Sequence, residues 1–179
     1  MSGYRKIGLL TWLLCLLTTF CLAEEFSGRV VAVKDGDTLE VLGGSKTERI
    51  RIADIDCPEM GQSFGSKAKQ LTSSLVFRKE VVVKSTGRDR YGRMIGEVFV
   101  DGENLGEELV KSGAAWWFQK YSSKGRLREL EVEARNKKCG LWAGKNPIAP
   151  WDWRIQKRTR SRNKANNDEE HEKGGDNKW

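Results

Sequence analysis

Between Phe26 and Val100 the chain alternates short β-branched runs with Gly and Asp turns, and this rhythm constrains the fold more than any other feature. Phe26–Val33 reads as a strand ended by Lys34-Asp35-Gly36, and Thr38–Leu42 as a second strand with Gly43-Gly44 as its turn. Glu48–Ile55 sets Ile50 and Ile52 against Arg49, Arg51 and Ala53, the period of a half-buried strand, and Pro58 prevents its simple continuation. Lys67–Phe77 carries Ala68, Leu71, Leu75 and Val76 on one side of a predicted helix. Glu80–Lys84 and Tyr91–Val100 supply a fourth and a fifth strand, the last ended by Asp101-Gly102. Asn104 is suited to cap a short helix through Val110, with Gly113 just past its end. A last helix is predicted over Lys124–Lys138, closed by Gly140.

Five short strands, with one helix between the third and the fourth, predict an α+β chain: a five-stranded β-barrel with about three α-helices. The OB-fold is the barrel of that size, and it commonly binds nucleic acid.

The two ends differ from this body. Arg5 and Lys6 precede the apolar run Ile7–Ala23, and Cys21-Leu22-Ala23 places a small residue before Glu24-Glu25. Residues 1–23 are therefore expected to be a signal peptide that exports the protein, secreted or periplasmic after cleavage. The alternative is an uncleaved segment anchoring it to a membrane. From Arg154 onward apolar residues nearly vanish, so 154–179 is expected to be a disordered charged tail. The working domain is then 24–153.

The formal net charge of +7 suits a polyanionic partner, but its distribution qualifies that argument. Residues 1–23 carry +2 and residues 154–179 carry +3, which leaves +2 for the body. A few placed arginines therefore matter more than bulk charge. The single histidine, His171, lies in the tail, which excludes histidine-based triads and histidine-ligated zinc hydrolases. Of four cysteines only Cys57 and Cys139 lie in the body, too few for a four-ligand zinc site and expected to be unbridged.

Three segments concentrate chemistry: Asp35-Gly-Asp37-Thr38, Arg51-Ile-Ala-Asp-Ile-Asp56-Cys57-Pro-Glu59 and Asp89-Arg-Tyr91-Gly-Arg93. Carboxylates gather a hard divalent cation through oxygen, arginine forks clamp phosphate, and a further glutamate orients or deprotonates water. Those are the parts that phosphodiester cleavage requires. Taken singly, each residue has an ordinary reading: Asp35 to Asp37 as a turn, Arg51 and Arg93 as surface ion pairs, Glu59 as a solvated acid.

Taken together with Leu109-Val-Lys-Ser-Gly113, these blocks stand in the order and near-spacing of the staphylococcal-nuclease-like (thermonuclease) family, which the chain resembles from Phe26 to Trp142. The resemblance implies an OB-fold barrel with helices and a Ca²⁺-dependent nuclease acting on DNA and RNA. The chain is expected to act as a monomer with no obligatory protein partner. Carried over, Asp37, Asp56 and the backbone carbonyl of Cys57 match the metal ligands. Glu59 matches the glutamate at the attacking water, and Arg51 and Arg93 match the arginines on the scissile phosphate. Asp35 matches a supporting acid, and Tyr91 a tyrosine near a terminal phosphate. Phe118 and Tyr121 are candidates for base stacking, with Trp116 and Trp117 assigned to the core. Met60–Ser66 is shorter than the corresponding mobile loop of the best-known member. The alternative function is a catalytically inactive OB-fold module that only binds nucleic acid; a structural or adhesive surface protein is a third reading.

Overall fold

The computed structural model describes the backbone of residues 24–174 and the side chains of 24–166, so the expected signal segment lies outside the described residues. Strands β1 (Glu25–Val33), β2 (Thr38–Gly43) and β3 (Lys46–Ile52) form an antiparallel meander. A two-residue strand, β4 (Ile55–Asp56), leads to helix α1 (Gly65–Val76). Strand β5 (Glu80–Arg88) pairs antiparallel with β1 and with β6 (Met94–Val100). Strand β6 then meets β3 in parallel, Arg51 opposite Ile95, and this pairing closes a five-stranded mixed barrel. After β7 (Glu103–Asn104) come α2 (Leu105–Lys111), β8 (Trp116–Trp117), α3 (Gly125–Asn136), a 3₁₀ turn over Gly140–Ala143, and α4 (Pro150–Gly174). The architecture is the predicted barrel with helices, with four α-helices among the described residues rather than about three.

Closure follows from the side-chain pattern. Val30, Leu39, Val41, Ile50, Ile52, Val81, Val83, Met94 and Val98 are almost fully buried and fill the barrel. Each contributes about 1.5–3 kcal/mol by leaving water. The pairing of β1 with β2 shifts register between Val30 and Ala32, a bulge that bends β1 around the barrel. Met94, rather than Tyr91, begins the last long strand, because Asp89–Gly92 turns back on itself through a bond from the Gly92 N–H to the Asp89 carbonyl.

A second core lies outside the barrel. Trp116, Ala134, Leu141, Trp142 and Ala149 are buried together, with Trp151 packed against them. The Arg135 guanidinium lies 3.8 Å from the centre of the Trp142 ring and 4.8 Å from that of Trp116.

This second core corrects the expectation of a disordered tail: residues 154–174 are the continuation of α4. Trp151 stacks on Phe118 with ring centres 5.2 Å apart and meets Trp116 edge-on at 5.7 Å. Docking of the first turn supplies the nucleus that helix formation lacks in isolation, and the Arg, Lys, Gln and Ala beyond it are good helix formers. Among the described residues no helix is long and apolar enough to cross a membrane.

Candidate active site

The loop between β1 and β2 is held from three sides. The Asp37 N–H donates to Asp35 Oδ1 (3.1 Å), and the Lys34 N–H donates to the Thr38 carbonyl (2.9 Å). From α1, the buried Thr72 hydroxyl donates to the Gly36 carbonyl at 2.6 Å. A side chain at Gly36 would collide with Cys57, whose Cβ lies 2.6 Å from where an added Cβ would sit. Asp37 is thereby pressed inward to 6% exposure. Its Oδ2 accepts from the Cys57 N–H at 2.7 Å and lies 3.2 Å from Arg51 Nη1. Its Oδ1 accepts from the Thr38 hydroxyl at 3.3 Å.

Arg51 reaches from β3 between two acids. Its Nη2 donates to Asp56 Oδ1 at 2.8 Å and its Nη1 to the Ile52 carbonyl at 2.9 Å. Asp56, on β4, is 1% exposed. Burial works against the charge of Arg51, but Asp37 and Asp56 outweigh it and raise its pKa above the ordinary value. The structure thus gathers Asp35, Asp37, Arg51, Asp56 and Cys57 into one connected group.

Glu59 leaves this group on a compact turn. Its N–H donates to Gln62 Oε1 at 3.1 Å, while Gln62 Nε2 donates to the Ile148 carbonyl at 2.6 Å. Gly65 permits α1 to start against this turn, since an added Cβ would sit 1.9 Å from the Glu59 carbonyl oxygen. The Glu59 side chain is partly open to solvent.

Arg93 is oriented by Asp89, which accepts from its Nε at 2.7 Å and its backbone N–H at 3.0 Å. Its Nη1 comes within 3.5 Å of the Thr38 hydroxyl, beside Asp37. Tyr91 is exposed, with Arg90 and Arg93 over its ring at 4.9 and 5.7 Å. Tyr91 and Arg93 line a polar groove with Glu40, Thr47, Arg49 and Gly92. Phe118 and Tyr121 pack edge to face at 4.8 Å. Tyr121 is exposed, whereas Phe118 has one face covered by Trp151, so at most its other face is open to a base.

Sequence reasoning missed one member of the site. Arg154, on α4, places Nη2 at 2.6 Å from Asp56 Oδ2 and Nη1 at 3.3 Å from Asp56 Oδ1 and 2.6 Å from Glu59 Oε1. Burial opposes its charge, but the bonds it donates to Asp56 and Glu59 outweigh it and raise its pKa well above the ordinary value. Arg154 is what joins Glu59 to the buried acids. The signal for it was Pro150 at a first helical position with Asp152 in the first turn, obscured by the charged sequence that follows.

The family model described as staphylococcal nuclease homologue matches residues 49–144. An uncharacterized endonuclease of Escherichia coli O157:H7 is 44% identical over 137 residues, covering 76% of this chain and 90% of its own. The chain belongs to the staphylococcal nuclease homologue family. A micrococcal nuclease of Shigella flexneri is 41% identical over 141 residues, 73% of this chain and 81% of its own. A further uncharacterized endonuclease, from Haemophilus influenzae, is 42% identical over 157 residues, 86% of this chain and 88% of its own. The chain is thus a nuclease-family hydrolase whose substrate class is nucleic acid. Within this nuclease homologue, the stretch matched to the family contains Arg51, Asp56, Glu59 and Arg93, while Arg154 lies beyond it.

The donor set of this nuclease homologue fits a hard dication. Burial pushes the Asp37 carboxyl up to about 7, with Asp35 and Asp56 adding to the rise and Arg51 opposing it. Such a surplus of buried acid is relieved by a bound cation. Burial first, then the charge of Asp37, push the Cys57 thiol up, so that it stays protonated and only its main chain is available as a ligand. Among the described residues no group of three or more His, Cys, Asp or Glu side chains could hold a metal ion; a cation here would rest on two carboxylates, with main-chain and solvent oxygen completing its shell. Cys57 and Cys139 are both free.

Proposed function

We propose that this chain is an exported, calcium-dependent nuclease that hydrolyses phosphodiester bonds in DNA and RNA and acts as a monomer without an obligatory protein partner. The observation that carries the reading is the convergence of Asp37, Asp56, Arg51 and Glu59 at one end of the barrel, with Arg93 at its edge. The endonuclease and micrococcal nuclease names of its relatives support the same reading. Export rests on the signal-like pattern of residues 1–23.

Asp37, Asp56 and the Cys57 carbonyl would hold calcium. When bound, the ion supplies positive charge to a phosphoryl oxygen and acidifies a water. Arg51 and Arg93 bind the phosphate and oppose the negative charge that develops on its oxygens. An arginine does not lose its proton near neutral pH, so both act as electrostatic clamps rather than acids. Glu59 orients the attacking water or takes its proton. Asp35 fixes the Asp37 loop, and Asp89 fixes Arg93. Tyr91 flanks the phosphate path, and Tyr121 with the free face of Phe118 offers a platform for a base.

Calcium accepts irregular, higher coordination, whereas magnesium demands a tight octahedron. Activity is therefore expected with Ca²⁺ and poor with Mg²⁺. The test is a zymogram on DNA and on RNA after EGTA treatment, with either metal restored. Clearing restored by calcium alone is the expected result. Full turnover in magnesium would overturn the calcium assignment, and no clearing with either metal would identify an inactive nucleic-acid-binding barrel.

A further inference from the structure

Asp56 presents two oxygens, and guanidinium groups engage both. Oδ2 accepts from Arg154 Nη2 at 2.6 Å; Oδ1 accepts from Arg51 Nη2 at 2.8 Å and from Arg154 Nη1 at 3.3 Å. Arg154 also holds Glu59 Oε1 at 2.6 Å. One side chain thus grips an acid assigned to calcium and the acid assigned to water.

We infer that Arg154 is an internal competitor of the divalent cation for Asp56 and Glu59, so that α4 restrains metal loading of the site. The inference rests on the proposed calcium reading of Asp56 and Asp37. A dication on Asp56 and a guanidinium touching the same carboxylate repel one another across a few ångströms of half-buried protein. One of the two arginines must give way. Arg51 is poorly placed to do so: its side chain is 14% exposed, it lies within β3, and it is tied to the Ile52 carbonyl. The Arg154 side chain is 34% exposed at the surface.

Nor does withdrawal of the Arg154 guanidinium require α4 to undock. The helix start is held by the Trp151 stack on Phe118, by Trp116, and by the bond from Gln62 to Ile148. None of these involves Arg154. The Gln62 bridge also accepts from the Glu59 N–H, so the turn bearing Glu59 keeps its place while its carboxylate is released. A Glu59 oxygen held at 2.6 Å by a guanidinium has a lone pair committed to that bond; release returns it to water. Metal binding and freeing of Glu59 are then one event.

Isothermal titration of the full chain with calcium chloride, in wild type, R154Q and R154K, tests this. Circular dichroism checks that each is folded. R154Q is expected to bind calcium about tenfold or more tightly than wild type, the scale of one charge-assisted hydrogen-bonded pair. R154K, which keeps the charge and loses the fork, should fall between them. Equal or weaker binding by folded R154Q overturns the inference and makes Arg154 a structural support. Should the variants not fold, ¹⁵N spectra of the arginine side chains of the wild-type protein decide. The guanidinium protons of Arg154 should exchange slowly without calcium and rapidly with it; slow exchange in both overturns the inference. Absence of calcium binding in wild type and R154Q alike would instead refute the calcium reading beneath it. Binding by R154Q alone would support both.

Discussion

Arg51 and Arg93 are assigned the same task, but their surroundings give their replacements different consequences. Arg51 pairs with two buried carboxylates, so Arg51→Ala leaves Asp37 without a cationic partner and Asp56 with Arg154 alone. Its loss is expected to cost about 3–5 kcal/mol of stability in EDTA, read from urea unfolding. Arg93 pairs only with Asp89 near the surface, and Arg93→Ala should leave the unfolding midpoint nearly unchanged. Both Arg→Lys variants should lose at least about a hundredfold in turnover, because a lysine does not reproduce the bidentate fork. Glu59→Gln should fold normally and lose turnover on the same scale, measured by steady-state cleavage of a fluorogenic oligonucleotide. Near-wild-type rates in folded variants would remove these residues from the mechanism. At this scale the candidate residues were legible because Asp37, Arg51, Asp56, Glu59 and Arg93 sit in short blocks of fixed spacing. Thr72 and Gln62 were not, because a lone Thr or Gln on a helix or turn carries no spacing signal; only the Gly36 and Ile148 carbonyls opposite them reveal their roles.

At the scale of elements, α1 acts as a brace. It closes the barrel through Ala68 and Val76 and holds the Asp37 loop through Thr72. Thr72→Val keeps the shape and removes the donor, leaving a buried Gly36 carbonyl unpartnered. It should cost about 1–3 kcal/mol and weaken calcium binding by loosening Asp37, both measurable by thermal unfolding and calorimetric titration. A variant with unaltered calcium affinity would show that the loop is held without α1. The helices were readable where local chemistry declared them: Asn104 caps α2 by accepting from the Glu107 N–H at 3.2 Å, as its position predicts. The two-residue pairing of β4 with β8 was not readable, because two residues carry no periodicity; Asp56 opposite Trp116 is a tertiary fact.

At the scale of the molecule, the barrel and α4 are distinct sources of charge. Residues 154–164 hold six basic residues and no acid, and residues 155–166 are exposed. Changing Lys157, Arg158, Arg160, Arg162 and Lys164 to Gln should weaken binding to long DNA at low salt. The slope of log affinity against log salt should fall by about 0.9 for each phosphate that the helix no longer neutralises. Cleavage of a short oligonucleotide should be unaffected, since none of these five residues touches the site. An unchanged slope in filter binding would make the helix a solubilising appendage.

The sequence by itself determined the barrel and the grouping of most of the candidate site residues. Strand alternation forces one face of each strand inward, and the Asp37, Arg51–Glu59 and Asp89–Arg93 blocks fall at strand ends, where a barrel brings its loops together. Only the tertiary structure decided that residues 154–174 form a helix and that Arg154 reaches Asp56 and Glu59, 98 and 95 residues earlier in the chain. Composition reports how little apolar surface that segment has to bury. It does not report that Trp151, packed on Phe118 and Trp116, and the bond from Gln62 to the Ile148 carbonyl seat its first turn and place the arginine that follows.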